Sequence, residues 1–327
     1  MAMRRPQVLL TGAMHPDGER AIAAVAEVVQ APDARPDTLR RLVAGADVLV
    51  VRSPLPADLF DHAPRLRGVV RHGVGVDMIP VAAASARGIP VANVPGSNRE
   101  AVAEHALACF GLLARRLHRM DGTLRAAGWA ASRALADGST ELAGKTLGIV
   151  GVGAIGSRIA AMAHHGYGMR VLGHQRRLEA LPAHVQGVAL DELLRASDYL
   201  VLCCPLTEAT RHLLDARSLA RMKPGAFLVN VSRGALVDEA ALVEALAGRR
   251  LGGAALDVFD EQPLRPDHPL LALDNVLLTP HAAGLTEESM ARMSRGAAEE
   301  VLRLLSGERP LNVVNPEVWS AGGASGH

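Results

Sequence analysis

Arg233 and His281 each stand where an apolar run stops, the first after "FLVNV" and the second after "NVLLTP". A guanidinium at the C-terminal edge of a parallel strand sits where open α/β sheets bind ligands. Its planar fork can clamp a carboxylate or polarise a carbonyl. His281 is the candidate acid or base. The segment that could supply its partner, "LDVFDEQPL" from Leu256 to Leu264, offers the carboxylates of Asp257, Asp260 and Glu261 and the amide of Gln262. Which of them faces the histidine decides the chemistry, because a carboxylate raises an imidazole's pKa and an amide only orients the ring.

A second constellation is "GVGAIG", with Gly151, Gly153 and Gly156 in a G-x-G-x-x-G array. In a chain with 32 glycines the array alone is weak. Its context raises it, since the apolar run "KTLGIV" precedes it and the helix-like "SRIAAMAHH" follows. Gly151 then permits the tight turn, Gly153 lets backbone approach a pyrophosphate, and Gly156 lets helix and strand pack, with Ala154 and Ile155 opening the helix toward the phosphates. An NAD site carries an Asp or Glu roughly twenty residues further on, for the ribose hydroxyls. Here His174, Gln175, Arg176 and Arg177 occupy that region, with no acid before Glu179. Two guanidiniums can hold a 2′-phosphate that an acid would repel, so the expected cofactor is NADP(H), with NAD(H) the alternative.

Short apolar runs separated by helical patterns position these residues. "QVLL", "ADVLVV", "LRGVVRHG" and "IPVANVPG" form one set of strands, with "DGERAIAAVAEV" read as a helix after the first. "KTLGIV", "MRVLGH", "DYLVLCCP", "GAFLVNVS", "GGAALDVF" and "NVLLTPH" form another. Such runs are parallel strands buried on both faces, which gives two doubly wound α/β units. Ser97 to Met120 reads as one long helix with a candidate cap, an acidic first turn and basic residues late, and Thr286 to Gly307 as another that ends on glycine. Two long helices imply that the chain leaves the first domain and returns to it, with the ligand cleft between domains. The domains are expected at residues 1–98 with 287–327, and at 99–286. The tail "WSAGGASGH" is expected to fray.

Composition excludes several classes of function. The 35 Lys and Arg balance 34 Asp and Glu, so no nucleic acid or anionic membrane is implied as a partner. Three cysteines, two of them adjacent at Cys203 and Cys204, give neither a disulfide framework nor metal-ligand spacing. The N-terminal apolar run, Val8 to Leu10, is too short for a signal peptide or a membrane span. A soluble cytoplasmic protein without a bound metal is expected.

In order and spacing, "RHGVGVDMI", "VPGSNREAVAEHALA", "GVGAIG", "CCPLTEATRHLL", "NVSRGALVDEAAL", "ALDVFDEQPL" and "TPHAAG" resemble the D-isomer-specific 2-hydroxyacid dehydrogenases over nearly the whole chain. The resemblance implies two Rossmann-like domains, a flavodoxin-like substrate domain and an NAD(P)-binding Rossmann domain, joined by two long helices and assembled as a homodimer. It implies that Arg233 polarises the substrate and that His281 donates the proton. Val74 and Gly75 would receive the substrate carboxylate, while Arg52 and Ser53 would shape substrate choice. Asp257 would face the nicotinamide carboxamide, and Cys204, Pro205, Val231 and Gly284 would contact the cofactor. The implied reaction is reduction of a small 2-keto acid such as glyoxylate or hydroxypyruvate.

The chain departs from the family at one place. The residue before the proline is ordinarily Glu, and here it is Gln262. Gln262 is the expected partner of His281, which should then work with a lower pKa. Glu261 competes, but it lies one position early on an extended segment whose successive side chains alternate. The Gln and His pairing also resembles formate dehydrogenases of this superfamily, in which hydride transfer needs no proton. A further rival is a dinucleotide-binding corepressor that grips peptides, and the short segment after "NVVNPEVW" favours the enzyme over it.

Overall fold

The computed structural model describes residues 4–322. The chain divides into two compact units, Met1–Asn98 with Leu285–His327, and Arg99–Gly284. The first unit opens with β1 (Gln7–Leu10), α1 (Pro16–Ala23), β2 (Glu27–Gln30), α2 (Pro36–Val43) and β3 (Val48–Val51). It continues with β4 (Gly68–Arg71), α3 (Val81–Ala86) and β5 (Val91–Ala92). The second unit runs α4 (Arg99–Arg115), α5 (Leu117–Ala134), β6 (Thr146–Val150), α6 (Ala154–Tyr167), β7 (Arg170–His174), β8 (Gln186–Gly187), α7 (Leu190–Ala196) and β9 (Tyr199–Leu202). It closes with α8 (Ala216–Arg221), β10 (Phe227–Asn230), α9 (Glu239–Ala247), β11 (Gly253–Leu256) and β12 (Val276–Leu278). The chain then returns to the first unit with α10 (Glu287–Ser306) and α11 (Pro316–Gly322).

Every pairing between these strands is parallel. The first sheet has the order β2-β1-β3-β4-β5, the flavodoxin-like arrangement. The second, β12-β11-β10-β9-β6-β7-β8, is the Rossmann order extended by a seventh strand. Helices must cover both faces of such sheets, which is why the strands read as unbroken apolar runs. Alternation within a run distributes side chains between two cores: Leu9, Leu49 and Val69 enter one, and Val8, Val48 and Val70 the other. In the second sheet Ile149, Val201 and Val229 go to one face, and Val150, Leu202 and Leu228 to the other.

Several sequence expectations are corrected. The helix expected over Asp17–Val28 stops at Ala23, because the β-branched Val28 and Val29 pair with Val8 and Leu9 to make β2. The two-residue β8 carries no apolar run and was not expected. The single helix expected from Ser97 to Met120 is two helices, divided at Arg116, which adopts a left-handed conformation with φ 55°. The Arg116 side chain holds that break by donating to Asp137 O at 2.9 Å. The helix begins at Arg99, and Ser97 before it donates its hydroxyl to Val94 O at 2.7 Å. The helix α10 stops at Gly307 as expected, and Thr286 caps its start. Of the tail expected to fray, Trp319–Gly322 belongs to α11, and residues 323–327 lie outside the described residues. Among the described residues no helix is long and apolar enough to cross a membrane.

Candidate active site

Three neighbouring parallel strands, β10, β11 and β12, bring their C-terminal ends to one edge of the second sheet. Asp257 follows β11 and is 2% exposed. Its Oδ1 accepts from Thr279 Oγ1 at 2.6 Å and Ala282 N at 2.8 Å, and its Oδ2 from Ala283 N at 2.9 Å. Its backbone carbonyl accepts from His281 N at 2.8 Å. One residue therefore wraps the turn after β12 around itself. At the tip of that turn His281 has φ 54°, a conformation most side chains resist and that surrounding bonds must impose.

The partner of the imidazole is the amide. His281 Nδ1 lies 2.9 Å from Gln262 Oε1, and Gln262 Nε2 donates to Phe259 O at 3.3 Å. Tying down the amide nitrogen turns the oxygen toward the ring, which makes Nδ1 the donor. Glu261 instead points to solvent, 75% exposed, with Arg265 3.9 Å away. The Asp260 carboxyl is held above its usual range by burial and then by the charge of Glu239.

Arg233 lies just beyond β10. Asn230, 1% exposed, shapes its turn by donating to Arg233 O at 2.8 Å and accepting from Ser232 N at 3.1 Å. A Cβ on Gly234 would fall 2.0 Å from Phe259 C, so the arginine turn rests directly on the segment that leads to Gln262. Only glycine permits that approach.

The glycine array occupies the topological switch point, where β6 borders β9 on one side and β7 on the other. Gly151 has φ 91°, and a Cβ there would lie 2.6 Å from Cys204 N. Gly156 packs against Gly151 O, where a Cβ would come within 2.2 Å. Gly153 caps α6 and faces open space, with nothing within 4 Å of its Cβ direction, and Ala154 and Ile155 begin the helix. An open helix N-terminus beside a crevice of this kind fits a dinucleotide pyrophosphate. Cys204 and Pro205 follow β9, Val231 follows β10, and Gly284 closes the histidine turn. At the end of β7, His174 Nδ1 meets Val188 O at 3.1 Å and Gln175 Nε2 donates to Arg177 O at 2.8 Å. Arg176 and Arg177 are both exposed.

The first unit carries its own set. Thr11 Oγ1 accepts from the backbone N–H of both Arg52 and Ser53, at 2.8 and 3.1 Å. The Arg52 guanidinium is half-buried, which lowers its pKa, and it donates to Ala13 O. The carbonyls of Val74 and Gly75 are braced by Asn93 Nδ2 at 2.8 Å and Arg71 Nε at 2.9 Å. Asn230, Thr11, Arg71 and Asn93 were not singled out from sequence. Their common signal is a polar residue closing an apolar strand. Asn98 adds a buried Oδ1 without a hydrogen-bond partner among the described residues.

The sequence profile described as "D-isomer specific 2-hydroxyacid dehydrogenase, NAD binding domain" matches residues 107–283. A glyoxylate reductase of Aeropyrum pernix is 40% identical, over 97% of this chain and 98% of that protein. A D-3-phosphoglycerate dehydrogenase of Methanocaldococcus jannaschii is 38% identical over 94% of this chain, which spans only 59% of that longer relative. Among solved structures, the NADPH-dependent glyoxylate/hydroxypyruvate reductase of Sinorhizobium meliloti, in complex with NADP and malonate, superposes with a TM-score of 0.85 at 31% identity. That match covers 95% of this chain and 97% of the other.

His72, which precedes the Gly73–Gly75 turn, gives the first unit a pH signature. It is 2% exposed and lies 2.7 Å from Ser294 Oγ. Burial, then the charges of Arg52 and Arg71, hold its pKa down at about 4, against 6.5 for an ordinary imidazole. A histidine kept neutral by folding contributes stability that is complete above pH 6.5 and is lost as pH falls toward 4. Denaturant midpoints measured across that window should fall for the native chain and fall less for His72→Gln; parallel slopes would refute the assignment.

Proposed function

This chain belongs to the D-isomer specific 2-hydroxyacid dehydrogenase family, oxidoreductases that act on 2-hydroxyacids, and we propose that it reduces a small 2-keto acid of the glyoxylate or hydroxypyruvate kind with NADPH. The observation that carries the reading is the 2.9 Å contact of His281 Nδ1 with Gln262 Oε1, on the same sheet edge as Arg233. A bound nicotinamide dinucleotide supplies the hydride. Gly151, Gly153, Ala154, Ile155 and Gly156 would hold its pyrophosphate, with Cys204, Pro205, Val231 and Gly284 beside it. Arg233 binds the keto oxygen and stabilises the charge that develops there. His281, oriented through Nδ1, presents Nε2 to give up a proton. Asp257 keeps that ring in place and would meet the carboxamide with its remaining acceptor capacity. The N–H groups of Val74 and Gly75 suit a carboxylate, and Arg52 with Ser53 would select the rest of the substrate. NADP(H) is supported by two exposed guanidiniums, Arg176 and Arg177, where an NAD site would carry an acid, with His174 and Gln175 alongside. The Sinorhizobium meliloti relative is NADPH-dependent by its description.

The partner macromolecule we propose is a second copy of the chain. Of the residues of α5 only Ser132 is buried, while Leu117, Leu124 and Trp129 are 47%, 44% and 76% exposed. The segment is kinked at Gly128 (φ 77°), with Leu117 and Leu124 before the kink and Trp129 just after it, and exposed apolar side chains of that size are what a homodimer interface would cover.

Three outcomes test the reading. Purified protein should consume NADPH ahead of NADH with glyoxylate or hydroxypyruvate, and Arg176→Ala with Arg177→Ala should erase the preference. Formate oxidation without keto-acid reduction would point to a hydride-only site, and no turnover at all to a binding protein. Gln262→Glu should move the alkaline limb of the reduction profile up by about 1 pH unit or more, since a carboxylate favours the imidazolium that gives the proton; an unmoved limb would count against His281 as donor. Trp129→Lys should shift sedimentation from dimer toward monomer, and an unchanged species would place the contact elsewhere.

A further inference from the structure

Gln262 rides on the long connection between β11 and β12, residues 257–275, whose only regular element is the short helical turn Pro269–Ala272. Connections of that length do not hold a side chain in register unless something fixes them. Glu239, the first residue of α9, reaches this connection at two points on either side of Gln262. Its Oε2 accepts from Asp260 N at 3.4 Å, and its Oε1 meets His268 Nε2 at 2.8 Å. His268 Nδ1 accepts from Leu270 N at 3.3 Å, which leaves Nε2 as the nitrogen that donates to Glu239. Both side chains are largely enclosed, 19% exposed for Glu239 and 12% for His268. The start of a helix favours a carboxylate at Glu239, and Asp238 secures that helix end by accepting from Ala241 N at 3.1 Å.

We infer that Glu239 and His268 form a bracket that positions Gln262, and through it the ring of His281, for proton transfer. The inference rests on the proposed role of His281 and adds two positioning residues to it. Immediately before the bracketed segment stands Phe259, whose carbonyl accepts from Gln262 Nε2 and whose backbone lies against Gly234. Loss of the bracket frees Asp260 and His268 together. The amide oxygen then loses its fixed line to Nδ1, and reacting groups displaced by about 1 Å lose on the order of 100-fold in rate. Neither residue follows a strand end that holds substrate or dinucleotide, so their removal acts on the proton-transfer step and not on binding.

The test is a double-mutant cycle with a spectroscopic arm. Glu239→Ala should lower kcat at least about 10-fold with KM and the dinucleotide Kd unchanged, and Glu239→Gln, which keeps an acceptor, should recover most of the rate. In a Gln262→Ala background Glu239→Ala should add no further loss, because residues acting through one contact are non-additive. Losses that multiply would overturn the bracket, as would a raised Kd. His268→Ala serves as the second probe if Glu239→Ala folds poorly, with the same expected split. Independently of turnover, the ring 15N signals of His281, identified by their shift in Gln262→Ala, should shift in the same sense in Glu239→Ala; unmoved signals would refute the inference. Failure of the native protein to reduce any keto acid would sink the proposed function and leave this last measurement to decide the bracket.

Discussion

The buried carboxylate of Asp257 is the constraint on which the histidine turn depends. Three donors from residues 279–283 converge on its two oxygens, and its own carbonyl takes the N–H of His281. A buried carboxylate is tolerated only when hydrogen bonds replace the water it has lost. Here the same bonds hold His281 at positive φ, so one set of hydrogen bonds offsets both the cost of burying a charge and the cost of a strained backbone. Without Asp257 the turn would leave several buried donors unpaired, each costing about 1–3 kcal/mol.

That anchor works because of the sheet beneath it. β10, β11 and β12 are parallel neighbours, so Arg233, Asp257 and His281 emerge at one edge although they are far apart in sequence. The other half of the same sheet supplies the glycine crevice at the β6 and β9 switch point. One topology thus provides both a crevice that fits a dinucleotide and a rigid mount for the arginine, the carboxylate and the histidine. The connection that carries Gln262 is not part of the sheet, and its position is set by side chains instead.

What the sequence disclosed follows from this division. Gly151 and Gly156 were readable because backbone contact forbids a side chain, and the residue type itself records that contact. Arg233 and His281 were readable as polar residues that end apolar runs. Gln262 was singled out through family resemblance and alternation along an extended segment, a local rule. The bracing by Asp257, Asn230 and Asn93 was not readable, since each acts across strands that meet only after folding. β2 was hidden because Glu27–Gln30 continues a helical pattern without a break, and pairing with β1 overrides that pattern. The division between α4 and α5 rests on a left-handed arginine, a conformation that no residue preference announces.

Arg176 and Arg177 show what the end of β7 costs in another respect. Both are exposed, and neither forms an ion pair within 4 Å among the described residues. A 2′-phosphate bound there, as proposed, would be gripped at an exposed surface, where dissolved ions weaken charge attraction over about 10 Å at 0.1 M salt. A pyrophosphate seated on the glycine crevice and a helix N-terminus is less affected, because backbone donors grip it at contact distance. Ionic strength would therefore act on one end of a dinucleotide bound as proposed more than on the other. On the proposed NADP(H) assignment, discrimination between the phosphorylated and unphosphorylated coenzymes would be sharpest in dilute salt and would narrow as the surrounding electrolyte becomes more concentrated.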